Sequence, residues 1–238
     1  MMKLYRKNEL LFAILCIVIY VIVCGNLRSI GDESPYMTIG MIVISILLFV
    51  FVKKNDLLGY YGLDRWPENS RKMLYFIPMW IISTGNIWDG IHINGTASAI
   101  ICSVISFILI GFVEELLFRG FLFKALLKEG STTRAIIISA VTFGMGHIVN
   151  VLTGHSGIET IVQMLFAVAI GFLYTFVYYK GGSLIPVIIS HSMIDALSVF
   201  GCDSHVTDKI YVISSIIISI GYCYYLSRFN TPADQNRC

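Results

Sequence analysis

The chain has 238 residues, of which 56% are hydrophobic and only 13% charged, with a mean hydropathy of +0.77. A soluble globular domain is nearer half apolar and a quarter charged, so this balance excludes a soluble or disordered protein. Seventeen Lys and Arg against fifteen Asp and Glu leave a net charge of +2, which excludes a nucleic-acid partner recruited by bulk basicity.

The apolar runs are long and unbroken. A membrane β-barrel would instead alternate over segments of about ten residues. The expected fold is all-α: a polytopic membrane protein, a single integral membrane domain over residues 1–238, built as a bundle of about eight transmembrane helices. In chain order the spans are predicted at residues 10–24, 37–52, 73–85, 97–127, 134–152, 158–179, 184–200 and 210–226. Crossing roughly 30 Å of hydrocarbon takes about 20 residues, so the shorter spans must borrow flanking residues or sit inside the bundle. The first resembles a signal peptide, but no small-x-small cleavage site follows, so it reads as a span.

Basic residues orient the bundle. Lys3, Arg6 and Lys7 precede the first span, Lys53, Lys54, Arg65, Arg71 and Lys72 follow the second, and Lys124, Lys128 and Arg134 follow the fourth. Lys180 follows the sixth and Arg228 and Arg237 the eighth, whereas the alternate loops hold only Arg28 and Lys209. The positive-inside rule then places both termini in the cytoplasm. Tyr178, Tyr179, Tyr222, Tyr224 and Tyr225 fall where interfacial aromatics belong. The six cysteines are scattered, with no metal-type pair or disulfide framework.

Charged residues and histidines away from the span ends are few: Glu114, Glu115, Arg119, His147, His191 and Asp195. Each costs roughly 2.5–3.5 kcal/mol on insertion scales near mid-bilayer, so each needs a structural or functional reason. Glu114 lies ten residues from Lys124, His147 thirteen from Arg134 and His191 eleven from Lys180. At about 1.5 Å per residue these depths are roughly 15, 20 and 16 Å, one level near the middle of the hydrocarbon.

Spacing suggests roles. Glu115 and Arg119 stand four apart, meet on one helix face and neutralise each other, while Glu114 points about 100° away and is left for chemistry. His191 and Asp195 repeat the spacing, which suits an acid that fixes a histidine tautomer. So do Phe143 and His147, with Gly144 and Gly146 allowing close helix approach. Asn150, one turn beyond His147, is expected to bond between helices, and His92, His155 and His205 to be solvated. In a low-dielectric site a carboxyl and an imidazole both resist charging, which suits general-base activation of water near neutral pH. A second imidazole can donate to the oxyanion formed on a peptide carbonyl. No GxSxG motif appears, and no cysteine accompanies the histidines, so a covalent nucleophile is not indicated.

Glu114-Glu115-Leu-Leu-Phe-Arg119 reads as EExxxR, Phe143-Gly-Met-Gly-His147 as FxxxH, and His191-Ser-Met-Ile-Asp195 as HxxxN/D. In this order on successive apolar segments within residues 97–201, they resemble the CAAX protease and bacteriocin-processing family of intramembrane proteases (CPBP or ABI). The resemblance implies an eight-helix bundle and a glutamate-type endopeptidase of the cell membrane acting on a membrane-associated precursor or prenylated peptide, with no cofactor and no metal. Glu114 and His147 would activate water, Glu115, Arg119 and Phe143 would position the site, and His191 with residue 195 would stabilise the oxyanion. Aspartate replaces the asparagine of one family version, and an ionised Asp195 cannot donate a hydrogen bond. It therefore either stays protonated or only orients His191. A bacterial plasma membrane and peptide precursors are the expected setting, with the bilayer and the peptide as the partners.

Three alternatives compete with this reading. Glu114, His147 and His191 supply a His₂Glu set for a zinc protease. A non-catalytic immunity or interaction protein would use the scaffold alone. A proton-coupled transporter would use Glu114 as carrier, although no paired repeats or broken helices stand out. Lys124 and Lys128 could greet an acidic peptide at the cytoplasmic mouth, or simply obey the positive-inside rule.

Overall fold

Side-chain caps written in the sequence start several helices. Asn8 accepts from the Leu11 N–H at 2.8 Å, Ser34 from Tyr36 at 3.2 Å, Thr96 from Ala99 at 3.3 Å and Ser131 from Arg134 at 3.3 Å. The computed structural model describes residues 1–148, 157–202 and 205–229, and over these it is helical with no strand. The helices are α1 (Met2–Lys7), α2 (Glu9–Arg28), α3 (Pro35–Lys54), α4 (Leu58–Tyr61) and α5 (Ile77–Ser83). They continue with α6 (Ala97–Lys128), α7 (Thr132–Met145), α8 (Gly157–Gly181), α9 (Ile185–Ser198) and α10 (His205–Ser227).

Among these, α2, α3, α6, α8 and α10 contain stretches long and apolar enough to cross a membrane. Leu74–Ser83 and Ile185–Ser198 are apolar but shorter. At 14 residues α9 extends about 21 Å, less than the hydrocarbon thickness, so it depends on the surrounding bundle. The span expected at 134–152 begins as α7, and its end lies outside the described residues. Ile14, Val18 and Ile22 on α2, and Ile213, Ile217 and Ile220 on α10, face outward. Such apolar surface suits lipid, and the molecule is an all-helical integral membrane protein.

Through the middle runs α6, packed by α2, α3, α7 and α9. Its segment Leu116–Phe123 is π-helical, and all eight residues are buried. A wider turn inside an α-helix rephases the side chains that follow it and loosens the backbone ladder. Here Ser139 of α7 donates to the Phe118 carbonyl at 3.0 Å, so α7 is tied to the widened turn. Beside it, Tyr5, Phe12, Phe51, Tyr61 and Phe121 form an aromatic cluster of edge-on, tilted and stacked pairs joining α1, α2, α3, α4 and α6.

Leu74, Tyr75 and Phe76 run left-handed at φ of 51°, 49° and 61°, a conformation that strains L residues. It is held from outside: Tyr222 donates to the Met73 carbonyl, Tyr225 to Lys72 at 3.1 Å and the Trp80 indole to Tyr75 at 2.8 Å. Tyr222 and Tyr178 are therefore not interfacial anchors as expected; both are buried among the helices, because their rings fill the seam rather than its rim.

Candidate active site

The centre of the site is an ion pair on α6. Arg119 Nη1 donates to Glu115 Oε1 at 2.6 Å, and both side chains are fully buried. The guanidinium lies 4.1 Å from the centre of the Phe143 ring on α7 and 5.5 Å from that of Tyr174 on α8. Aromatic faces partly replace the water the cation has lost. Even so, Glu115 Oε2 and Arg119 Nε and Nη2 have no hydrogen-bond partner among the described residues.

Close approach brings α9 onto this pair. A Cβ at Gly111 would lie 2.5 Å from Ser192 Oγ and 2.7 Å from the Ser192 backbone nitrogen, so only glycine permits the crossing. Ser192 Oγ then donates to the Ile108 carbonyl at 2.9 Å. One turn further along α6, His191 Nδ1 meets Glu115 Oε1 at 2.8 Å. Its other nitrogen, Nε2, faces Asp195 Oδ2 at 3.4 Å and Glu114 Oε2 at 3.8 Å.

The His191 environment differs from the expected one in a chemically useful way. Spacing along α9 suggested Asp195 as the acid that sets the tautomer. Instead the shorter bond runs to Glu115 on another helix, and Asp195 lies on the Nε2 side. Glu115 thus accepts from both Arg119 and His191. With Nδ1–H donated to Glu115, Nε2 carries a hydrogen only in the imidazolium form.

Glu114 does turn away from Glu115, but it is not a lone carboxylate. Tyr20 of α2 donates to its Oε1 at 2.7 Å. Its side chain is 17% exposed, against none for Glu115, because it opens onto two cavities. The larger holds about 890 Å³ of free space and is lined by Glu114, His147, His191 and Asp195 together. The smaller, about 530 Å³, lies between α2 and the end of α7 and shares Glu114, Phe143 and His147. Phe143 stands edge-on to both imidazoles, 5.8 Å from His147 and 5.6 Å from His191 between ring centres.

Three residues lie outside the motifs. These are Tyr20 and Tyr174, which no sequence motif singled out, and Arg28, expected as a loop cation. Arg28 instead ends α2, binds Asp32 at 3.0 Å and lines both cavities. A polar stripe on the first span, Tyr20, Cys24 and Arg28 at four-residue intervals, is the signal in the sequence that points to this face. Conversely, Lys124 and Lys128 do not open on the site. Lys124 lies over the Tyr60 and Tyr178 rings at 4.9 and 5.7 Å, and Lys128 binds Glu9 at 2.6 Å. Asn150 and His155 lie outside the described residues. Among those that are described, no group of three or more His, Cys, Asp and Glu side chains is disposed to hold a metal ion.

Residues 96–197 match a family model described as type II CAAX prenyl endopeptidase Rce1-like. No curated protein and no solved structure gives a significant match. The matched segment runs from the cap of α6 to the last turn of α9 and contains all three motifs; α2, with Tyr20 and Arg28, lies before it. Through this segment the chain is similar to the type II CAAX prenyl endopeptidases, a resemblance confined to residues 96–197.

Proposed function

We propose that the chain is an intramembrane glutamate-type endopeptidase that cleaves a membrane-associated peptide, a precursor or a prenylated tail. The reading rests on one observation: carboxylates and imidazoles from α6 and α9, together with His147 just beyond α7, line a single interior cavity in a helical membrane protein. Both termini are assigned to the cytoplasm of a bacterial plasma membrane, with eight crossings in one domain.

The proposed chemistry follows from donor and acceptor positions. Glu114 and His147 take a proton from a water in the cavity, and the hydroxide attacks the scissile carbonyl. The imidazolium Nε2–H of His191 donates to the resulting oxyanion. Asp195, 3.4 Å from Nε2, orients the ring and favours its positive charge, and does not touch the oxyanion. The carbon–nitrogen bond breaks as the proton held by Glu114 passes to the leaving amine, and no covalent enzyme intermediate forms. Glu115 and Arg119 fix the far side of His191, and Phe143 packs between the imidazoles and the guanidinium.

Product mass spectrometry on candidate membrane peptides in liposomes tests the reading and locates the cut. Wild type cleaves at one bond, and Glu114→Gln lowers the rate by about a thousandfold or more, as expected when a general base is removed. Equal cleavage by Glu114→Gln overturns the assignment of Glu114.

A further inference from the structure

We infer that Tyr20 on α2, outside the segment that matches the family model, is a positioning residue for Glu114. Its hydroxyl fixes one carboxylate oxygen so that the other is presented to the cavity. The inference rests on the proposed role of Glu114 as base and adds the element that aims it.

The geometry is direct. Tyr20 is 5% exposed and donates to Glu114 Oε1 at 2.7 Å, while Oε2 is the oxygen turned toward His191 Nε2. A glutamate side chain has three rotatable bonds, so an unanchored carboxylate at the edge of a cavity samples several rotamers. A charge-assisted bond to one oxygen selects one of them and leaves the second oxygen free to accept from water. Polar groups near Glu114 in the two cavity linings include Cys24 and Arg28 from α2, His147 beyond α7, and His191 and Asp195 from α9. None of these has a hydrogen bond to Glu114 at the length of the tyrosine contact.

Burial alone does not account for the pairing. The hydroxyls of Tyr178 and Tyr211 are also buried and have no hydrogen-bond partner among the described residues. Tyr20 reaches its partner because α2 packs against the π-helical part of α6 just after Glu114. The first helix therefore completes a site whose motifs lie on later ones.

The test is Tyr20→Phe in the full chain, reconstituted in phosphatidylethanolamine–phosphatidylglycerol liposomes. It removes one oxygen atom and keeps the ring packing. The expected result is a fall in kcat of about 10- to 100-fold with KM within about twofold and an unchanged melting temperature, the size of one lost charge-assisted bond. An unchanged kcat overturns the inference, as does a loss that tracks a fall in melting temperature. A second readout needs no turnover: the infrared carboxylate band assigned to Glu114 by subtracting the Glu114→Gln spectrum. The inference requires Tyr20→Phe to shift that band, and an unmoved band sinks it. If no peptide is cleaved by wild type while the band still shifts, the protease reading fails and the Tyr20–Glu114 contact stands.

Discussion

At the scale of single residues, the site combines two carboxylates with opposite settings. Glu115 is enclosed and shared by a guanidinium and an imidazole, while its neighbour Glu114 opens on free space and is held by one phenol. Breaking a buried pair strands a charge, and that costs about 3–5 kcal/mol. Glu115→Gln and Arg119→Met are each expected to destabilise the protein by that amount in reversible unfolding in mixed micelles. The double variant should cost less than the two singles added together, since no unpaired charge is left in it. Additive losses would show that the pair has no coupling. Arg119→Lys is expected to rescue neither stability nor activity, because a compact ammonium cannot lie flat on Phe143 while reaching Glu115.

Between elements, the register of α6 against α9 decides which groups meet. The i,i+4 pair on α6 was legible from spacing, because both partners ride on one helix and the backbone sets their distance. The bond from His191 to Glu115 was not legible, since it depends on a crossing point that glycine at 111 allows and Ser192 secures. Gly111→Val is therefore expected to push α9 outward, lowering activity by about a hundredfold and stability by about 1–3 kcal/mol, as overpacking does. Gly221→Ala on α10 is the matched control. Its Cβ meets nothing within 4 Å, and better helix propensity should raise stability by about 0.5–1 kcal/mol. Similar losses at both positions would mean that helix glycines in this chain matter for a reason other than the α6–α9 approach.

For the molecule as a whole, the charge pattern predicts which loops face the cytoplasm. In a cysteine-free background, single cysteines at the exposed positions Lys53 and Glu68 should react with a membrane-impermeant maleimide only after permeabilisation. Cysteines at the exposed positions His92 and Ile93 should react in intact cells. Labelling of all four from one side would overturn the assignment of crossings. The aromatic cluster of Tyr5, Phe12, Phe51, Tyr61 and Phe121 fixes the first two spanning helices to α6. Through it, α2 reaches a site whose three motifs all lie on later helices.

The sequence by itself determined that this is a helical membrane protein, which residues are ionisable within it and which pairs share a helix face. Those properties follow from composition and a 3.6-residue repeat, both local. Only the tertiary structure decided that His191 bonds to Glu115 more closely than to Asp195, that Tyr20 holds Glu114, and that Lys124 turns to aromatic rings instead of the site. Each of those contacts joins residues on different helices. Its existence depends on where two helices touch and how α6 is rephased by its π-helical turn, and neither is encoded in the spacing of any one motif.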